Sequence, residues 1–301
     1  MRLGRLACAG AIMLATVAVE AAEIKTINPS TFYPEGPLWF NGRLYYVEYS
    51  NHTVMTWDGR ENRQIWKQEG CGPAAIIDTA DGDLLVSCYD ANTLVRINPD
   101  GQTQNTIPAD SSGDPFVGPN DFARDVDGGI YFSASGVFDA AAAIRGRIYY
   151  LAPDGSIRPV AYLVHYANGL ALTDGGKTLL ASEHLAARVL RFDVRDNGTL
   201  VNRRVFQRLR DIAPEPADAD AYTGPDGLKV DSKGNVYICQ YGAGRVLVTD
   251  SAGKLLRTIH VPGKYVTNVN FGPTEDVLYI TAATDAWNAP YPGELYEVAN
   301  R

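Results

Sequence analysis

Five residues spread along the chain, Glu35, Asn120, Asn168, Asp226 and Asn268, carry side-chain oxygens and occupy one position of a recurring pattern. In four of them the position lies eight residues before a turn residue (Gly128, Gly176, Gly234 or Asp276), and Glu35 lies seven before Gly42. A sixth copy has Ala74 at this place, eight before Gly82. Two carboxylates and three carboxamides brought to one point form an oxygen cage of the kind a hard divalent cation takes, with roughly six to eight oxygen ligands. That donor set favours Ca²⁺, with Mg²⁺, Mn²⁺ or Zn²⁺ as substitutes. Without a cation, Glu35 and Asp226 would repel one another in an enclosed channel, and one of them would keep its proton. Asn and Asp ahead of Gly are also ordinary turn formers. A single such position therefore says little, and the matched set carries the argument.

Residues so far apart in sequence need an element that brings them together, and a repeat of roughly fifty residues supplies it. Six stretches share a plan of short strands joined by Gly/Asp turns, beginning at Glu35, Gly72, Gly118, Ala167, Gly224 and Thr267. Their second strands fall at 44–48, 84–88, 130–134, 179–183, 236–240 and 277–281. With almost no helical periodicity, this pattern predicts an all-β fold, a six-bladed β-propeller. The innermost strand of each blade runs along the central channel, so equivalent positions converge at one end of the axis. Six copies fill residues 23–301, which predicts one propeller domain there. The last copy shows only three strands, so Glu23 to Asn28 are expected to add its outer strand and close the ring.

The second strand returns toward the face that holds the oxygen ring. Glu48, Glu183 and Gln240 stand near such ends and, with Asn268, are expected to support the ligands or contact substrate. Cys88 stands at another such end, and a bridge to Cys71, at the start of the preceding first strand, is geometrically allowed but left open by the sequence. Insertions at 136–146 and 211–223 read as loops that reshape the pocket if they reach over the channel mouth. His165 and His184 flank the fourth copy and read as surface or packing residues, with no Gly-x-Ser-x-Gly nucleophile elbow in the chain to pair with them. Trp39, Tyr45, Tyr46, Tyr131 and Tyr237 fall at strand spacing and read as blade packing.

These motifs resemble the gluconolactonase and regucalcin-like family of Ca²⁺-dependent hydrolases, which are six-bladed propellers. The resemblance rests on EGPLW at Glu35, GPNDF with Asn120, NGLAL with Asn168, GPDGLKVDSKGNVY with Asp226, and TNVNFG, and it spans nearly all of residues 23–301. It implies a metal held by Glu35, Asn168 and Asp226, with Asn120 joining the metal or touching substrate. It also implies hydrolysis of lactones or related esters, in which Asp226, or a water beside it, is base or nucleophile and Asn120 orients the substrate. Phosphotriester hydrolysis on the same cage, and a non-catalytic binding propeller with a structural ion, are the alternatives. One departure is informative: the animal regucalcin branch has an Arg two residues before the Asn of its ND motif, where this chain has Gly118. The resemblance therefore implies a gluconolactonase-like lactone hydrolase and leaves open whether the lactone is that of a sugar acid.

The composition sets outer limits. A net charge of −8, with no strong basic run, argues against a nucleic-acid partner. Hydrophobic residues at 46% against 21% charged are ample for a large core. Residues 1–22, with Arg2 and Arg5, an apolar run from Leu6 to Val19, and Ala21 and Ala22, read as a secretory signal peptide. This predicts a periplasmic or secreted protein, free of the membrane after cleavage, a monomer acting on a small molecule. Cys71, Cys88 and Cys239 remain, an odd number without metal-type spacing.

Overall fold

Strand runs here are short because each is stopped by a turn that the sequence specifies. In the fifth blade, Asp231 Oδ1 accepts backbone N–H bonds from Lys233 (2.9 Å) and Asn235 (2.8 Å) while Gly234 takes a φ of 82°. Asp125 and Gly128 repeat the device in the third blade, with bonds from Asp127 and Gly129. A carboxylate that caps its own turn and a glycine free to adopt positive φ make the reversal local, so each hairpin closes without help from distant residues.

The computed structural model describes residues 23–301, and the proposed leader at 1–22 lies outside the described residues. The strands form six four-stranded antiparallel sheets, the six-bladed propeller expected. The innermost strands are Pro34–Phe40, Pro73–Asp78, Pro119–Arg124, Ala167–Thr173, Gly224–Val230 and Tyr265–Phe271. The core sits between blades. Ala171, Leu180 and Val189 of the fourth blade pack with Leu228, Ile238 and Leu247 of the fifth. Leu44, Tyr46 and Trp57 of the first blade pack with Tyr279 and Leu295 of the sixth. Blade-to-blade burial thus fixes the ring and, through it, the axis.

The outermost strand of the sixth blade comes from the N-terminal side. Ile24–Phe32 pairs antiparallel with Pro292–Ala299, from Ile24 opposite Val298 to Phe32 opposite Pro292. The closing strand expected over Glu23 to Asn28 therefore runs on to Phe32.

Cys71 and Cys88 are joined in a disulfide, and Cys239 is free and buried. The bridge closes a loop with a sequence separation of 17. Constraining the unfolded chain over a loop of that size is worth about 3 kcal/mol. Replacing both cysteines by alanine should lower the unfolding free energy in urea by about that amount, and an unchanged midpoint would show that the bridge carries no stability.

Candidate active site

The oxygen ring is positioned by an irregularity common to all the blades. In every innermost strand the antiparallel register shifts beside the ring position: between Glu35 and Leu38, Pro73 and Ala75, Pro119 and Phe122, Ala167 and Leu170, Pro225 and Leu228, and Val266 and Asn268. A bulge re-aims a side chain that a regular pleat would place elsewhere. The glycines that follow three ring residues have a separate cause. A Cβ at Gly169 would strike the Asp226 carbonyl oxygen, one at Gly227 would strike Asn268 Oδ1, and one at Gly36 would lie 2.6 Å from Ala75 Cα. Neighbouring strands approach too closely at the axis for any side chain. The Glu-Gly, Asn-Gly and Asp-Gly pairs are thus demanded by packing inside strands, and not by turns.

Buried hydroxyls then tie four of the six blade pairs together. Ser182 Oγ donates to the Asp226 carbonyl (2.6 Å), Ser135 Oγ to that of Ala167 (2.6 Å), Thr267 Oγ1 to that of Pro34 (2.7 Å), and Ser87 Oγ to that of Asn120. The backbone carrying or adjoining each of the four ring residues Glu35, Asn120, Asn168 and Asp226 is held from the neighbouring blade. Positioning of this kind lets the side chains meet with little freedom.

Glu35, Asn120, Asn168 and Asp226 are all buried and line one cavity at the channel mouth. Burial pushes both carboxyls well above the usual range. The Asp226 charge raises Glu35 further, and the Asp121 charge raises Asp226. Against this, the Gly36 N–H and the Asn268 side chain bond Glu35, and the Asn168 side chain bonds Asp226. A carboxamide that donates through nitrogen keeps its oxygen as an acceptor. Asp226 Oδ1 is buried with no hydrogen-bond partner. An orphaned carboxylate oxygen, beside a second raised acid and amide oxygens, fits a hard cation well and fits an empty channel badly. Among the described residues no group of three or more His, Cys, Asp or Glu side chains is arranged to hold a metal. A cation here would rely on Asn120 and Asn168 as much as on the acids.

The remaining expected residues are placed differently. Asn268 lies on the far side of the ring and lines a second depression of about 320 Å³ at the other end of the channel, together with Asp121. Glu48, Glu183 and Gln240 do not line the mouth cavity. Each is the last paired residue of its strand or close to it, and each grips the residue opposite on the next strand. Glu48 Oε2 accepts from Thr53 Oγ1 (3.3 Å), Glu183 Oε2 from Arg188 Nε, and Gln240 Oε1 from Arg245 Nε (2.7 Å). Glu183 Oε1 also accepts from Arg203 Nη2 (2.9 Å). These side chains lock hairpins, and their oxygens are turned away from the axis by those partners.

Asp121 is a buried acid that the spacing argument passed over. Adjacent residues of a regular strand face opposite ways, so Asn120 at the ring implied Asp121 away from it. The bulge cancels that alternation. Asp121 Oδ2 accepts from the Leu170 backbone (3.2 Å) on the innermost strand of the neighbouring blade.

The cavity, about 320 Å³, is walled by aromatic residues. The first insertion reaches it through Phe138, and the second packs behind its wall. Phe138 of the first stands 4.8 Å from Tyr166 and 5.0 Å from Tyr222 of the second, ring to ring. Asp220 of the second accepts from Trp287 Nε1 (3.0 Å), another wall residue. His184 also lines the cavity, whereas His165 does not. His184 Nε2 lies 2.9 Å from the Tyr222 carbonyl, which can only accept, so the ring proton sits on Nε2 and Nδ1 is left as a buried acceptor without a partner.

Burial lowers the His184 pKa from 6.5 to about 4. Between those values the unfolded chain binds a proton that the folded chain refuses, so this group's contribution to stability rises with pH across that window and is constant above it. The shift corresponds to about 3 kcal/mol. The difference in unfolding free energy between the wild type and His184→Gln should therefore change by about that much between about pH 4 and about pH 7. A difference that does not move with pH would show that His184 charges freely in the folded protein.

Fold and site together define a six-bladed propeller whose channel mouth holds a buried cage of acids and carboxamides beneath an aromatic wall. Residues 33–284 match the family model described as SMP-30/Gluconolactonase/LRE-like region, and the chain belongs to that family. Lactonase drp35 of Staphylococcus saprophyticus is 29% identical over 259 residues, covering 81% of this chain and 72% of that protein. Lactonase drp35 of Staphylococcus aureus strain MW2 is 29% identical over 211 residues, and the match spans 61% of its length and 68% of this chain. Among solved structures, a gluconolactonase of Xanthomonas campestris superposes with a TM-score of 0.75 at 25% identity, covering 93% of this chain and 90% of that one. A calcium-binding protein, regucalcin, of Agrobacterium tumefaciens superposes at 0.73 and 19% identity, over 90% of this chain and 92% of that one.

Proposed function

We propose that this protein is an exported, calcium-dependent lactonase. The observation that carries the reading is the orphaned Asp226 Oδ1, buried at the floor of an aromatic cavity beside Glu35, Asn120 and Asn168, in a family with relatives named lactonase and gluconolactonase. Those four residues would hold the cation. Bound Ca²⁺ would supply Lewis acidity toward a carbonyl oxygen and a lowered pKa for water. Asn120 presents its carboxamide to the substrate carbonyl and fixes the approach. Asp226 takes a proton from the attacking water as the water oxygen bonds to the acyl carbon. It returns that proton to the ring oxygen when the acyl–oxygen bond breaks, so one water is consumed and a hydroxy acid leaves. The aromatic wall keeps bulk water from the acids. Export is supported by the leader-like composition of residues 1–22 and by a disulfide that persists in an oxidising compartment.

The test is turnover of a lactone panel and a phosphotriester by the purified chain, before and after chelation and after adding Ca²⁺ back. Lactone turnover that disappears on chelation and returns with Ca²⁺ is expected. Turnover indifferent to chelator overturns the metal dependence, and a fall in melting temperature on chelation with no turnover of any substrate makes the ion structural.

A further inference from the structure

The wall of the cavity is built at a backbone position where glycine would be the easy choice. The residue entering the innermost strand has positive φ in the first four blades: Tyr33 (51°), Gly72 (55°), Gly118 (62°) and Tyr166 (62°). Glycine takes this conformation freely, whereas a bulky side chain there is a steric outlier. In the two glycine blades a tyrosine from elsewhere stands at the vacated space. A Cβ at Gly118 would lie 2.7 Å from the Tyr89 ring, and one at Gly72 would strike the Asp90 carboxylate and lie 2.9 Å from the ring of Tyr49, whose hydroxyl that carboxylate holds. Each of these four entries therefore has a tyrosine ring at the mouth, and in two of them the chain accepts backbone strain to place it. Strain of this kind persists where the surroundings over-determine it, and it clusters at binding sites.

The four hydroxyls are engaged with protein. Tyr49 donates to Asp90 Oδ1 (2.8 Å), Tyr89 to the Gly136 carbonyl (2.8 Å) and Tyr33 to Tyr241 (3.3 Å), while Tyr166 is bonded to Tyr89. What remains for a ligand is the rings' apolar surface. No lysine or arginine, among the described residues, lines the cavity, so a phosphate or free carboxylate finds no countercharge on its walls. A polyhydroxylated ring would lose water along a wall that is mostly aromatic carbon, with His184 Nδ1 as a free acceptor for one hydroxyl, and the balance is costly.

We infer that Tyr33 and Tyr166 are specificity-determining residues that select an uncharged lactone bearing an apolar ring or chain over a polyhydroxylated one. The inference rests on the lactonase reading for its chemistry, but it concerns binding and can be tested apart from turnover. Two substrates with the same lactone ring size serve as probes, δ-phenyl-δ-valerolactone and D-glucono-δ-lactone, together with the phenyl lactam, which has the same shape and resists hydrolysis. The wild type should favour the phenyl lactone in kcat/KM by about tenfold or more. Tyr33→Gly and Tyr166→Gly, which relieve the backbone, should raise KM for the phenyl lactone about tenfold with a smaller effect on kcat, weaken the lactam in proportion, and narrow the preference over gluconolactone. Equal or better use of gluconolactone by the wild type overturns the inference and leaves the lactonase reading standing. Lactam binding that weakens in the glycine variants, with neither lactone hydrolysed, supports the inference and ends the lactonase reading. No lactam binding and no hydrolysis ends both. If the glycine variants fail to fold, Tyr33→Asn and Tyr166→Asn, with a side chain that tolerates positive φ, repeat the comparison, and an unchanged KM for the phenyl lactone in them overturns the inference.

Discussion

Asp226→Asn is expected to make the calcium-free protein more stable while abolishing both the effect of calcium and hydrolysis. In the absence of a cation the Asp226 carboxyl is a buried acid near Asp121 and Glu35, with one oxygen unpartnered. Removing an uncompensated buried charge while keeping its shape should gain about 1–3 kcal/mol. The same change deletes a metal ligand and the proposed base, so kcat/KM should fall roughly a thousandfold or more. Saturating Ca²⁺, at about a thousand times its dissociation constant, should stabilise the wild type by about 4 kcal/mol and the variant scarcely at all. The pH dependence has a definite sign. A carboxyl raised on folding contributes stability below its unfolded pKa that is lost as pH rises through the folded value. With chelator present, the wild type should therefore lose stability relative to Asp226→Asn as pH climbs above the ordinary carboxylate range. Thermal melts of both proteins across pH, with and without Ca²⁺, decide it. A calcium-free variant less stable than the wild type would mean that Asp226 is a structural acid, and the cage argument would fail with it.

How much of this was legible beforehand follows from what each signal depends on. The blades were legible because a four-stranded antiparallel sheet closed by Asp/Gly turns is local, as the Asp231 and Asp125 turns show. The ring was legible because counting back from those turns lands on the mouth position in five blades; in the sixth it lands on Asn268, which lines the other depression. What the position does to a side chain was not. The register shift beside each ring residue leaves no mark on composition, so nothing in the sequence drew attention to Asp121. Glu48, Glu183 and Gln240 were brought to the expected end of the propeller, but their oxygens bond side chains five residues on, or more distant arginines. Strand counting places a Cα and says nothing of which neighbour captures the side chain. The aromatic wall was hidden for a related reason. Tyr33 and Tyr166 stand where positive φ is required, and tyrosine is the wrong residue to announce that conformation. Phe138 and Tyr222 belong to insertions outside the repeat, so no periodicity could align them.

Deleting residues 23–32 should cost the protein most of its cooperative stability. The argument begins from an exposed edge. Without Ile24–Phe32, the strand Pro292–Ala299 becomes the open side of the sixth blade, and a long unpaired edge in a buried-faced sheet both loses its hydrogen bonds and invites association. The loss reaches the first blade too. Asn28 Nδ2 donates to Tyr46 Oη (2.8 Å), Tyr46 Oη donates to Asn62 Oδ1 (3.0 Å), and Asn62 Nδ2 donates to the Ile27 carbonyl (2.8 Å). This chain of buried or half-buried bonds stitches the last blade to the first. Truncation leaves Tyr46 and Asn62 each short of a partner, at about 1–3 kcal/mol apiece in addition to the ladder itself. A total of at least about 5 kcal/mol is expected, equivalent to a fall of about 10–20 °C in melting temperature for a chain of this size. Because the missing piece is a strand added to an edge, a peptide of the sequence 23–33 supplied in trans should recover much of the loss. A truncated protein that melts with the full chain would mean that blade-to-blade burial closes the ring unaided. The channel axis, and with it the alignment of Glu35 in the first blade with Asn120, Asn168 and Asp226, would then owe nothing to this strand.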